Sequence, residues 1–218
     1  MENLLKTEWV SILNKKRPGN LPEWVDVPDV LSEDTIEKVF DIVDTKYLGD
    51  PIVRPHGTGH ATYYNGDDGH TYELRFIKYE EFVNQFEKTD EESGKKFQWN
   101  RNMSRPDYIA YDLTEQKAYF VIHELSEGSI ANKKSDAMRQ LLNTVLLFAS
   151  SSALKDFYSS FEKRLCVVSA NGCVTESPLN MAQGFMEAYI NLPDPLPLNN
   201  KSITSRGFDA IQTKVVKL

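Results

Sequence analysis

Two acids stand where they could share one divalent cation. Asp107 opens a short β-prone stretch, Tyr108 to Leu113, and Glu124 lies near the end of a second, Lys117 to Leu125. Thr114-Glu115-Gln116 is a polar turn between them. If the stretches pair as neighbouring strands, about 5 Å apart, acids near adjacent ends converge. Two carboxylates then offer the hard oxygen ligands that suit Mg2+ or Mn2+.

The elements that must position these acids run from Ser104 to Phe148. The first stretch is rich in β-formers. The second is mostly apolar, which suits a strand buried on both faces. Ser126 to Asn132 reads as a polar, glycine-containing loop. A helix starts near Lys133 and runs to about residue 150, with Ala137, Leu141, Val145 and Phe148 at helical spacing.

Pro106-Asp107, then Glu124, then Gln140-Leu141 on the following helix resembles the PD-(D/E)xK nuclease superfamily. The resemblance implies an α/β (α+β) chain with a restriction-endonuclease-like core: a central mixed β-sheet flanked by helices, in the order helix, three strands, helix, strand. It also implies Mg2+ or Mn2+ between Asp107 and Glu124, with the carbonyl of Leu125 as a further ligand, and hydrolysis of nucleic-acid phosphodiesters. The cation would polarise the phosphate and lower the pKa of an attacking water. One position departs from the pattern. The lysine two residues after the second acid is Ser126 here. Ser126 is too short and neutral to stabilise developing charge, which argues against efficient cleavage. Lys133 or Lys134, entering from the helix start, is the candidate replacement. The candidate catalytic set is then Asp107, Glu124, Lys133 and Lys134, with Glu37, Glu127 and Gln140 as accessory residues. The alternative is a degenerate nuclease fold serving as a binding or assembly subunit, compatible with a homodimer.

At 218 residues the chain can bury a full core, and it reads as a single domain, 1–218. The nuclease-like core spans about 32–170, with an N-terminal helix and a C-terminal helix and extended tail as additions. Hydrophobic content of 40% and charged content of 26% are ordinary for a soluble protein. No apolar run approaches a membrane span, and the first residues lack a signal-peptide pattern. Cys166 and Cys173 make no disulfide framework, so a reduced, cytoplasmic protein is expected. The net charge of −7 argues against a protein devoted to holding duplex DNA. The acidity is concentrated between Glu23 and Asp50, whereas Lys133 to Arg164 is mildly basic.

Elsewhere, Glu2 to Lys16 predicts an amphipathic helix with Leu5, Trp9, Ile12 and Leu13 on one face, ended by Pro18-Gly19. Ser32 reads as the N-cap of a second helix, with Ile36, Val39, Phe40 and Val43 as its stripe and Glu37 on it. His56-Gly-Thr-Gly-His60 has ligand-like spacing but lies in glycine-rich chain, so a polar loop is the expectation over a zinc site. Thr71 to Ile77 alternates as a half-buried strand with Tyr63-Tyr64 as hairpin partner. Tyr79 to Lys88 predicts a short helix. Lys95, Lys96, Trp99, Arg101 and Arg105 form a basic, aromatic cluster that nucleic acid could contact; Trp99 in the core with its charges in water is the bland alternative. After the long helix come a buried strand at Arg164 to Ser169, a turn at Asn171-Gly172, a helix at Leu179 to Ile190 and a last strand through Val215 and Val216.

Overall fold

A computed structural model describes residues 1–44, 50–66, 69–127, 130–171 and 195–218, with the backbone alone for 127, 130–134, 170 and 171. Helix α1 spans 2–16, and its stretch Leu5–Trp9 is π-helical. Leu5, Trp9, Ile12 and Leu13 are all buried, as their spacing predicts. The helix stops at Arg17, whose ψ of 150° is the extended value favoured before a proline.

Then come β1 (Ser32–Thr35), β2 (Val39–Ile42), β3 (Val53–Pro55), β4 (Ala61–Tyr64), β5 (Leu74–Lys78) and α2 (Tyr79–Asn84). The helix expected from Ser32 is therefore two strands. β1 pairs antiparallel with β5, and the Arg75 guanidinium holds both Asp34 oxygens at 2.6 Å. Ile36 is 67% exposed, so no helical stripe forms; Phe40 and Ile42, two residues apart, are the buried pair. Val39, Ile42 and Val43 are β-branched and favour the strand. Tyr63-Tyr64 does not pair with Thr71–Ile77 either. It lies in β4, between β2 and β13 (Val215–Lys217).

A hairpin of β6 (Glu87–Thr89) and β7 (Lys96–Gln98) leads to β8 (Tyr108–Asp112) and β9 (Tyr119–Glu127). Helices α3 (Ile130–Ala149) and α4 (Ser152–Ser159), β10 (Lys163–Asn171), β11 (Leu196–Pro197), α5 (Lys201–Thr204) and β12 (Asp209–Gln212) complete the described chain. The large mixed sheet has seven strands in the order β1-β5-β8-β9-β10-β12-β11. β5, β8 and β9 run antiparallel, each to the next, and β10 returns parallel to β9 after the α3 crossover. That crossover is the connection a parallel pair requires.

Ala137, Leu141, Val145 and Phe148 of α3 are buried with Leu5, Trp9, Ile109, Phe120 and Ile122 in a core on one sheet face. On the other face, Phe40 and Tyr63 of the smaller sheet, ordered β13-β4-β2-β3, pack with Phe76, Tyr108 and Val121. The central strands β8 and β9 are thus covered on both sides, which is why they carry few charges. The expected helix at Leu179 to Ile190 and the glycine of the Asn171-Gly172 turn lie outside the described residues.

Candidate metal centre

The β8–β9 register pairs Tyr108 with His123 and Ile109 with Ile122. One step outward, it sets Asp107 across from Glu124 on the face that carries Ile109 and Ile122, beneath α3. Asp107 is 8% exposed, and its Oδ2 accepts the Leu125 amide at 2.5 Å. Its carbonyl accepts the amides of Tyr79 at 2.9 Å and Glu80 at 3.3 Å, so the first turn of α2 is seated on Asp107. That seating brings in the Glu80 side chain. Asp44 arrives from beyond β2. The Tyr108 hydroxyl donates to the Val43 carbonyl, and the Asp44 amide donates to His60 Nδ1 at 2.9 Å. Carboxylate oxygens of Asp44, Glu80 and Asp107 lie within 4.8 Å of one another.

Burial pushes the Asp107 carboxyl well above the ordinary carboxylate range; the Leu125 amide opposes this, and the charges of Asp44, Glu80 and Glu81 add to it. Glu80 is raised as well, by burial first and then by Glu81 and Asp44. Like charges crowded in a part-buried site resist joint ionisation unless a cation joins them. The all-oxygen donor set fits a hard divalent cation, so this acidic triad could hold one.

No protein-family model matches the chain, and no curated protein or solved structure matches it. The functional reading rests on the side chains themselves.

Glu124 is 9% exposed and lies beside this triad rather than within it. Gln140 of α3 fixes it: Nε2 donates to Glu124 Oε1 at 3.0 Å, while Gln140 Oε1 accepts the Arg105 amide at 3.1 Å. One glutamine thus ties α3, the entry to β8 and the second acid together. Leu125 supplies its amide to Asp107. Ser126 continues β9 instead of opening a loop, because β9 stays hydrogen-bonded to β10 as far as Glu127. Its Oγ is buried and has no hydrogen-bond partner among the described residues. The helix begins at Ile130, before Lys133. The side chains of Glu127, Lys133 and Lys134 lie outside the described residues.

Glu37 is exposed between β1 and β2, on no helix, and does not join the triad. Lys95 and Lys96 are exposed at the β6–β7 hairpin. Trp99 is core, 6% exposed, as the bland alternative had it. Arg101 and Arg105 border a groove whose wall includes Glu80 and Gln140.

Sequence reasoning missed Asp44 and Glu80. The signal for Glu80 was its place two residues past the end of the Leu74–Lys78 strand, in the first turn of the helix that follows. Asp44 was obscured by the helix expected around it.

Among the described residues, the histidine loop serves a carboxylate. Asp41 Oδ2 accepts the amides of Gly57, Thr58 and Gly59 at 2.7, 2.9 and 2.9 Å. Its Oδ1 contacts Thr62 Oγ1 at 2.7 Å and His56 Nδ1 at 3.2 Å. A Cβ at residue 59 would fall 2.4 Å from Asp41 Cβ, which is why glycine stands there. Burial pushes the Asp41 carboxyl up, but Thr62, Gly59, His56 and Gly57 outweigh it and hold the group below its ordinary value. The loop so gathered is what presents His60 to Asp44.

Proposed function

We propose that this protein is a metal-dependent nucleic-acid phosphodiesterase of the PD-(D/E)xK kind. The observation that carries the reading is the convergence of Asp107, Glu80 and Asp44, with Glu124 across the strand from Asp107. The order α1, β5, β8, β9, α3, β10 supports a restriction-endonuclease-like core: helix, three antiparallel-linked strands, helix, parallel strand. Here the N-terminal helix, not the segment from Ser32, takes the first helix position.

Asp107, Glu80 and Asp44 would hold Mg2+ or Mn2+, with Glu124 and the Leu125 backbone beside them. Such a cation supplies charge that polarises a phosphate and acidifies a bound water. Gln140 keeps Glu124 oriented, as a hydrogen-bonded outer residue does for a ligating carboxylate. Arg101 and Arg105 hold the strand by its phosphates. The amine that the pattern places at 126 comes from Lys133 or Lys134 at the start of α3.

The second reading, a degenerate fold that binds or assembles without cutting, is favoured by Ser126 alone. Incubation with single-stranded and duplex DNA and RNA, with Mg2+ or Mn2+, separates the two. Cleavage that disappears in Asp107→Ala and Glu124→Ala, survives Ser126→Ala and falls about 10²–10³-fold in Lys133→Ala or Lys134→Ala supports a relocated lysine. Failure of wild type to cut any of these substrates refutes the enzyme reading. Cutting gained by Ser126→Lys would then mark the degenerate site.

A further inference from the structure

Glu80 of the triad lines one end of a groove whose two ends are unlike. At the near end, a cavity of about 450 Å³ is lined by Glu80 and Gln140 and by three arginines, Arg101, Arg105 and Arg139. Arg105 is preset by Asn84 Oδ1 at 2.6 Å. Among the described residues, Arg139 pairs with the exposed Asp136 at 3.0 Å, Arg105 with Glu87 at 3.5 Å, and Arg101 makes no ion pair. Segment 101–104 and Asn143 also line a second cavity of about 270 Å³. Its walls are mixed: Pro18, Trp99, Met103, Leu146 and Leu147 supply apolar surface beside the polar Lys16, Asn143 and Thr144. Leu146 is 38% exposed there, a large apolar side chain facing solvent on an otherwise amphipathic helix.

Three guanidinium groups clustered on a chain of net charge −7 ask for an anion. The adjoining slot, with Met103 and Leu146 among polar side chains, suits a flat group with an apolar face and polar edges carried by that same anion. A nucleotide has both. In a duplex, however, the base faces are stacked and its edges paired, so the base reaches a side pocket only after extrusion. We infer that the groove seats an unpaired nucleotide of a nucleic-acid strand, the phosphate at Arg101 and Arg139 and the base against Met103 and Leu146. The substrate of the proposed phosphodiesterase is then single-stranded nucleic acid, or the unpaired part of a structured one. Cleavage of the seated strand rests on the nuclease reading; its binding does not.

Binding is measured by fluorescence anisotropy in EDTA, so that nothing is cut, with a labelled oligonucleotide as single strand and as blunt duplex, in DNA and RNA forms. The single strand binds more tightly than the duplex. Leu146→Glu weakens single-strand binding at least about fivefold, the scale of losing one seated base, and leaves duplex binding unchanged. Asn143→Asp, also on an exposed α3 position between the two cavities, does the same and guards against a folding defect in the first variant. Arg101→Ala lowers the salt slope for the single strand by about 0.7. Duplex binding equal to or tighter than single-strand binding, or both α3 variants binding the single strand like wild type, overturns the inference. Selective binding with no cleavage on adding Mg2+ or Mn2+ leaves the groove standing and removes the nuclease. Cleavage of duplex and single strand alike, indifferent to Leu146→Glu, does the reverse.

Discussion

Replacing Asp107 by Asn tests the candidate metal centre at its most buried member. The amide keeps an oxygen for the Leu125 amide and keeps the side-chain shape, so the change removes charge and little else. In wild type without metal, the folded state holds the Asp107 proton more tightly than the unfolded chain does. A carboxyl raised in the folded state contributes stability below its unfolded value, and that contribution is lost as pH rises through the folded one. A bound cation reverses the preference and binds only the folded state. At a metal concentration about 100 times the dissociation constant, linkage adds about 2.7 kcal/mol. For a chain of this length each kcal/mol moves Tm by about 2–4 °C, so the rise is about 5–11 °C. Differential scanning fluorimetry with Mg2+ and Mn2+, at pH 6 and pH 8, reads it. The rise is larger at pH 8 than at pH 6, because protons compete less with the cation for the raised carboxyls. Without metal at pH 8, Asp107→Asn melts above wild type, because the crowded charges are relieved. With metal, its rise is gone. An equal rise in wild type and Asp107→Asn places the cation elsewhere. No rise in wild type at millimolar metal refutes the reasoning about the triad.

The remaining predictions concern the frame around the site. His123 is fully buried, with Nδ1 at 2.7 Å from the Tyr63 hydroxyl and Nε2 at 2.8 Å from Ser169 Oγ, which itself donates to the Thr213 carbonyl. Ser169 spends its proton on Thr213, so His123 donates from Nε2 and accepts at Nδ1; burial pushes its pKa down to about 3. His123→Ala leaves two buried hydroxyls short of a partner and a cavity between the sheets, and costs about 3–5 kcal/mol in urea unfolding; a loss under about 1 kcal/mol contradicts this. Asp41→Asn costs about 2–3 kcal/mol near pH 7, where the carboxylate accepts from three amides and Thr62. Because the Asp41 carboxyl is held low in the folded state, its contribution is present above the unfolded value near 4 and fades as pH falls through the folded one. The gap between wild type and variant therefore narrows in acid; a gap constant with pH counts against the charge-based account.

What was legible in the sequence was the part governed by local pattern. Strands β8 and β9 were readable because burial on both faces demands apolar, β-prone runs, and α3 because its buried face repeats at helical spacing. Pro106-Asp107 and Glu124 could be placed on neighbouring ends because a short turn leaves an antiparallel pair little choice. The segment from Ser32 misled because its apolar residues satisfy both periods over so few positions. Only pairing with β5 and the Arg75–Asp34 contact decides for strand, and that contact joins residues 41 apart. The same distance effect hid two of the three close-set acids. Asp44 is brought in by Tyr108 and His60, and Glu80 by the carbonyl of Asp107; none of these contacts leaves a trace in local composition. The HGTGH spacing illustrates the converse. It suggests ligation when read alone, yet Gly59 is explained by the backbone closing on Asp41, 18 positions away, and Gly57 by its φ of 88°. A carboxylate that organises a loop and a histidine that holds the neighbouring acid's amide make this motif a support for the triad rather than a rival to it.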